Sequence, residues 1–165
     1  MDATIRKVQP GDESTLAYIQ TESWKSAFKG ILKADVLERC TNIDKARGMY
    51  KSLLDENKGN GYIQFIDGKP HCIAYWDAAR DEAMNGKAEL ICIHSLPGNW
   101  GKGYGRSMME RVLEDIKAQG INEVYLWVFT ENHRARHFYE SNGFTCTDII
   151  QPALGTEEIC YEKGL

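Results

Sequence analysis

The segment from Leu90 to Arg106 constrains the fold more than any other part of this chain. An apolar run stops at Pro97-Gly98, glycines follow at alternate positions (Gly101, Gly103, Gly105), and a helical pattern then begins. This reads as a strand, a tight loop and a helix starting near Gly103. Glycine accepts positive φ without steric cost and lets a backbone approach a ligand closely. The N–H groups of the helix start have no intrahelical partner, and the helix dipole favours negative charge there. The segment therefore has the makings of a phosphate cradle built from main chain. A Walker loop is excluded because Lys102 is followed by Gly103 and not by Ser or Thr. The dinucleotide fingerprint fails because the third glycine it requires is replaced by Arg106 or Met108, depending on the starting glycine. The other reading is a plain connection, but Lys102 and Arg106 beside three glycines exceed what a connection requires.

A chain of 165 residues predicts a single domain, residues 1–165, with a real core. A net charge of −4 argues against wholesale nucleic-acid binding. No apolar run approaches a membrane span, and the start Met1-Asp2-Ala3-Thr4 does not read as a signal peptide, so the expected compartment is the cytoplasm. Cys40, Cys72, Cys92, Cys146 and Cys160 are odd in number and form no C-x-x-C pair, which argues against a disulfide framework or a metal site. All but Cys40 fall in strand-like runs, where a thiol acts as a small buried hydrophobe.

Periodicity and turn signals place strands at Ala3 to Val8, Tyr62 to Ile66, Pro70 to Ala79, Lys87 to Ser95, Glu123 to Phe129, Phe144 to Ile150 and Glu158 to Glu162. Helices are predicted from Asp12, as a cap, to about Lys29, at Ala34 to Cys40, Asp44 to Asn57, from Gly103 to Gly120, and Asn132 to Ser141. Asp67-Gly68 is a hairpin turn signal. The order gives an α/β chain (an α+β mixed sheet) with helices on its faces.

These residues resemble the GNAT superfamily of GCN5-related N-acetyltransferases, bacterial small-molecule type, over most of the chain from Tyr62 onward. The family's coenzyme loop, Q/R-x-x-G-x-G/A, has its counterpart in Trp100 to Gly105. The family's late helix, N-x-x-A-x-x-F-Y-x-x-x-G-F, is matched at every specified position from Asn132 through Ala135, Phe138 and Tyr139 to Gly143-Phe144. The resemblance implies an acyl-coenzyme A N-acyltransferase fold. Its central twisted sheet has about seven mostly antiparallel strands and is splayed between the fourth and fifth. It also implies acetyl-coenzyme A as co-substrate, with no metal. One departure is Trp100, where the family has Gln or Arg; Lys102 and Arg106 are the charges at hand to compensate.

The resemblance places coenzyme contacts at Ile93, His94 and Ser95 on the fourth strand, at Trp100, Gly101, Lys102, Gly103, Tyr104, Gly105 and Arg106 on the loop, and at Asn132. The coenzyme arm would pair with strand backbone, and strand N–H groups would stabilise the oxyanion. Tyr139 matches the family's general acid and suits protonation of a thiolate; the alternative is a packed aromatic. Asn132 either meets the coenzyme or caps its own helix, and the two roles are compatible. Glu89 reads either as the base that deprotonates the amine or as a solvated strand-end charge. Strict alternation puts Glu89, Ile91, Ile93 and Ser95 on one face and His94 on the other, which favours a packing or backbone role for His94. His71 reads as a strand residue. An arginine of the basic helix from His133 to His137 is a candidate for the adenosine phosphate.

Trp24, Phe28 and Trp76 are the candidate lining of an acceptor pocket, and Asp77, Asp81 and Glu82 against Arg80 would attract a cationic amine. The leading expectation is transfer of acetyl to a small-molecule primary amine by direct attack in a ternary complex. Protein or peptide N-acetylation and a non-catalytic acyl-coenzyme A sensor are the rivals. No nucleic-acid or membrane partner is expected, and a homodimer follows by analogy with relatives.

Overall fold

The structure is a computed structural model that describes residues 2–165. Seven strands form one sheet in the order β1-β2-β3-β4-β5-β7-β6. They are β1 (Ala3–Lys7), β2 (Asn60–Ile66), β3 (Lys69–Ala78), β4 (Ala88–Ser95), β5 (Glu123–Phe129), β6 (Thr145–Ala153) and β7 (Thr156–Gly164). All neighbours are antiparallel except β4 and β5. Helices α1 (Glu13–Ala27), α2 (Ala34–Cys40) and α3 (Ile43–Asp55) precede the second strand; α4 (Tyr104–Ala118) and α5 (His133–Ser141) flank β5. Among the described residues no helix is long and apolar enough to cross a membrane.

The sheet separates two apolar layers. On one face Met108, Met109, Val112 and Ile116 of α4 and Tyr139 of α5 pack on Ala74, Trp76, Leu90, Leu126 and Val128. On the other, Leu16, Ala17 and Ile19 of α1 and Ala46 and Tyr50 of α3 pack on Ile63, Ile73 and Tyr75. These layers are called the α4 face and the α1 face below.

Two sequence expectations fail locally. Asp12 precedes α1 but caps nothing with its side chain. Its carboxylate is held by both terminal nitrogens of Arg6, at 2.8 and 2.9 Å, and by the Gln9 N–H. Cys146 is exposed, not buried, because β6 is an edge strand; Cys72 and Cys160 are buried.

Candidate active site

The parallel ladder between β4 and β5 consists of Ala88 opposite Val124 and Glu89 opposite Tyr125, and then stops. From Leu90 onward the edge of β4 that faces β5 has no strand partner, so the sheet opens as a wedge in its middle. A bulge shapes the same stretch: Cys92 faces Tyr75 and Leu90 faces Trp76, which leaves Ile91 unpaired. An extra residue in one strand flips the alternation beyond it. Leu90 therefore joins the α4 face and Cys92 the α1 face. Glu89, opposite Asp77, and His94, opposite Ile73, share the α1 face, where regular alternation would have separated them. Ile93 packs on the α4 face.

At the wide end of the wedge, β4 runs through Pro97–Asn99 into the glycine loop. Gly101 and Gly103 have φ of +76° and +85°, and a Cβ at either would meet nothing within 4 Å. Both glycines therefore serve backbone conformation and leave the loop's outer side open. Gly103 is the N-cap of α4 and offers no side-chain acceptor, so the N–H groups of Gly105 and Arg106 point outward without an intrahelical partner. These donors suit the pyrophosphate of a nucleotide-bearing coenzyme. Of the flanking cations, Arg106 borders the cleft and pairs with Glu110 at 3.2 Å. The Lys102 ammonium is turned to Asn99, 3.0 Å away, and its side chain does not border the cleft.

A cleft of about 1250 Å³ runs from this loop through the wedge to the α1 face. Tyr139 of α5 lines it, 8% exposed, and its hydroxyl has no hydrogen-bond partner among the described residues. Burial pushes the phenol pKa above its ordinary value, so it stays a proton donor through neutral pH. Asn132 also lines the cleft; its Oδ1 caps α5 through the Ala135 N–H at 3.2 Å, which leaves its amide nitrogen for a ligand.

Glu89 is held differently from either sequence reading. It is 3% exposed, and Arg80 grips it through Nε at 3.0 Å and a terminal nitrogen at 2.6 Å, while the Tyr125 hydroxyl donates at 3.0 Å. Burial would raise the carboxyl pKa, but the Arg80 hydrogen bonds and charge and the Tyr125 hydroxyl outweigh it and hold the group below the usual carboxylate range. A carboxylate so saturated is a poor base, and it does not border the cleft. Trp76 also moves from its expected place. It lies on the α4 face, 5% exposed, with its indole N–H donating to the Tyr62 hydroxyl at 3.0 Å. Trp24 of α1 and Phe28, the residue that ends it, line the cleft on the opposite side of the sheet.

The family model described as Acetyltransferase (GNAT) family matches residues 22–144, well over half of the chain. The chain belongs to the GNAT family of acetyltransferases. It is 26% identical over 153 residues to a spermidine N(1)-acetyltransferase of Thermoplasma acidophilum, covering 90% of this chain and 91% of that protein. A stretch of 57 residues is 47% identical to a mycothiol acetyltransferase of Beutenbergia cavernae, but it covers 34% of this chain and 19% of that protein's length. The fold matches the crystal structure of the PaiA N-acetyltransferase of Thermoplasma acidophilum in complex with coenzyme A, with a TM-score of 0.82, 24% identity and full coverage of both chains.

In this GNAT chain the departure at Trp100 has a structural counterpart. The Trp100 indole donates to the Ser95 carbonyl at 3.1 Å and so ties the loop to the end of β4. The Arg134 guanidinium stacks over the ring at 3.5 Å. This cation–π contact sets Arg134, which also borders the cleft, beside the loop. The basic run of α5 was the only signal for it, and that run could not say which arginine. Arg136 instead bonds the Tyr161 hydroxyl and the Thr130 carbonyl. His71, which read as a plain strand residue, also lines the cleft. It is 2% exposed with its ring against Tyr104, and its Nδ1 is without a partner. Tyr50, Tyr75 and Cys92 on the α1 face line the cleft with no chemical signature in sequence that would have found them.

Proposed function

We propose that the protein transfers an acetyl group from acetyl-coenzyme A to the primary amine of a small molecule, by direct attack in a ternary complex. The observation that carries this reading is the Tyr139 hydroxyl, protonated and without a protein partner, at a wedge that joins the glycine loop to the aromatic-lined α1 side of the cleft. The coenzyme supplies the acyl group as a thioester. The α4 N-terminus and the loop glycines hold the pyrophosphate, and the free edge of β4 offers N–H and C=O groups to the arm and N–H groups to the carbonyl oxygen as it gains charge. The amine nitrogen bonds to the acetyl carbon, the carbon–sulfur bond breaks, and Tyr139 gives its proton to the departing thiolate. With Glu89 saturated by Arg80, the ammonium loses one proton to water at the cleft mouth before attack; the acylated nitrogen then loses a second, which returns the Tyr139 phenolate to phenol through water. A small acceptor is favoured over a protein chain because α1 and α3 wall the α1 side of the cleft with Trp24, Tyr50 and Leu53, which narrows the approach to the wedge.

The test combines a thermal-shift titration with acetyl-coenzyme A and thiol release against a panel of amines, for the wild type and Tyr139→Phe. Coenzyme that binds only the native state raises the melting temperature. Tyr139→Phe is expected to keep that shift and lose about 10²–10⁴ in kcat, the usual contribution of a positioned acid. Unchanged turnover would remove Tyr139 from the chemistry. A coenzyme shift without thiol release on any amine would favour a sensor or a protein acceptor.

A further inference from the structure

We infer that the acceptor is a monoamine carried on an aromatic or bulky apolar body, and not a polyamine. The inference rests on the amine-acetyltransferase reading above and concerns the α1 side of the same cleft. That side is walled by a connected aromatic array. Trp24 meets Phe28 edge-on with centroids 4.9 Å apart, and Phe28 meets Phe129 of β5 at 4.9 Å and 89°. Trp127 of β5 and Ile91, pushed out by the bulge to 37% exposure, continue the lining. Such walls favour ring edges and apolar bodies.

The charges complete the argument. Among the described residues the cleft is bordered by two carboxylates, Asp77 and Glu158. Asp77 lies level with Tyr125 through Glu89, whereas Glu158 lies opposite Phe129. Four residues of strand separate those levels by about 13 Å, and the two carboxylates sit on strands β3 and β7, with β4 and β5 between them. They cannot grip one ammonium together. Asp81, from the acidic loop, spends its carboxylate capping Ala83, and Arg80 is drawn to Glu89. Glu158 is the one carboxylate beside the aromatic array, and its Oε1 already accepts from the Gln151 amide at 2.6 Å. A polyamine threaded to the wedge would bring more ammonium charge to Trp24, Phe28 and Phe129 than that single carboxylate can pair, and an unpaired charge there is costly. A single amine deprotonated for attack, with a ring behind it, meets no such penalty.

The experiment is initial-rate thiol release by the full chain with acetyl-coenzyme A, comparing phenethylamine and tryptamine with putrescine and spermidine. The expected result is a kcat/KM for the arylalkylamines about tenfold or more above that for the polyamines, from burial of the ring. Trp24→Ala should raise KM for phenethylamine about tenfold, with Trp24→Phe restoring most of it and both variants keeping the coenzyme thermal shift as proof of folding. Polyamines turned over as well as or better than the arylalkylamines would overturn the inference and leave the amine-acetyltransferase reading standing, as would a phenethylamine KM indifferent to Trp24. Coenzyme binding with no release on any of the four amines would overturn the inference together with the reading beneath it.

Discussion

Trp24 of α1 donates its indole N–H to Nε2 of His94 on β4 at 3.1 Å, and so pins the acceptor-side helix to the strand that forms one arm of the wedge. The bond requires a neutral imidazole with its proton on Nδ1. Burial favours that form and pushes the His94 pKa down to about 4. The unfolded chain, with an ordinary value of about 6.5, binds the proton more readily between those limits. His94 therefore contributes stability that is fully present above about pH 6.5 and is lost as pH falls towards 4. His94→Asn offers an acceptor without a titration. The melting-temperature difference between wild type and His94→Asn should shift against the wild type as pH drops from 7 to 4. A difference constant with pH would mean that His94 does not titrate in this way.

Glu89 and Arg80 make a prediction about both stability and rate. Glu89→Gln presents an amide N–H₂ to a guanidinium nitrogen now 2.6 Å from an oxygen. The resulting mismatch of buried groups should cost about 1–3 kcal/mol, read by urea denaturation. Catalysis should keep its pH profile, with kcat/KM rising towards the pKa of the amine, because the carboxylate takes no proton. A stable variant that loses its rise with pH and most of its kcat would identify Glu89 as the base.

The same region shows what was legible in sequence and what was not. Gly120 and Gly143, both at positive φ, end helices where the sequence places their ends, and β5 and α2 have the predicted bounds, because turn residues and strong periodicity act locally. The resemblance of the late helix to the family motif pointed to Tyr139 and Asn132, and both line the cleft. The bulge at Ile91 was hidden, since it depends on register against β3, and it brought Glu89 and His94 to one face where regular alternation had separated them. Trp76 was misplaced because an indole next to Tyr75 gives no sign of which face is which. The β6–β7 hairpin turns at Leu154-Gly155, with φ of +51° and +83°. Leucine is no signal for that turn, so both strands were drawn too short.

Gly61 supports the acceptor side through Tyr75. The two are cross-strand partners, and a Cβ at Gly61 would overlap the Tyr75 ring, approaching Cε2 to 2.6 Å. Tyr75 lines the cleft and stacks beside Tyr50 at 5.7 Å, so the ring cannot swing aside without disturbing the α1 layer. Gly61→Ala should destabilise by about 1–3 kcal/mol, as overpacking does, and raise the amine KM while leaving coenzyme affinity in place. Tyr75→Leu in the Gly61→Ala background should recover part of the stability. No loss in the single variant would show that the ring has room to move.

Gly103 and Gly105 sit two residues apart in the coenzyme loop and should fail in different ways. Gly103 has a φ of +85° and open space where a Cβ would go, so Gly103→Ala is opposed by backbone conformation alone, at about 1–2 kcal/mol. Relief of that strain would rotate the peptide that starts α4 and redirect the outward N–H groups. Gly105 lies within α4 and has no unusual φ, but a Cβ there would come within 3.1 Å of the Phe138 ring, next to Tyr139. Gly103→Ala should therefore weaken coenzyme binding, measured by calorimetry, with kcat at saturating coenzyme little changed. Gly105→Ala should push α5 and lower kcat through Tyr139, and Phe138→Leu in the same chain should relieve it. Identical effects of the two substitutions on affinity and on kcat would mean that the loop acts as one unit, and that the separate roles argued for its glycines are wrong.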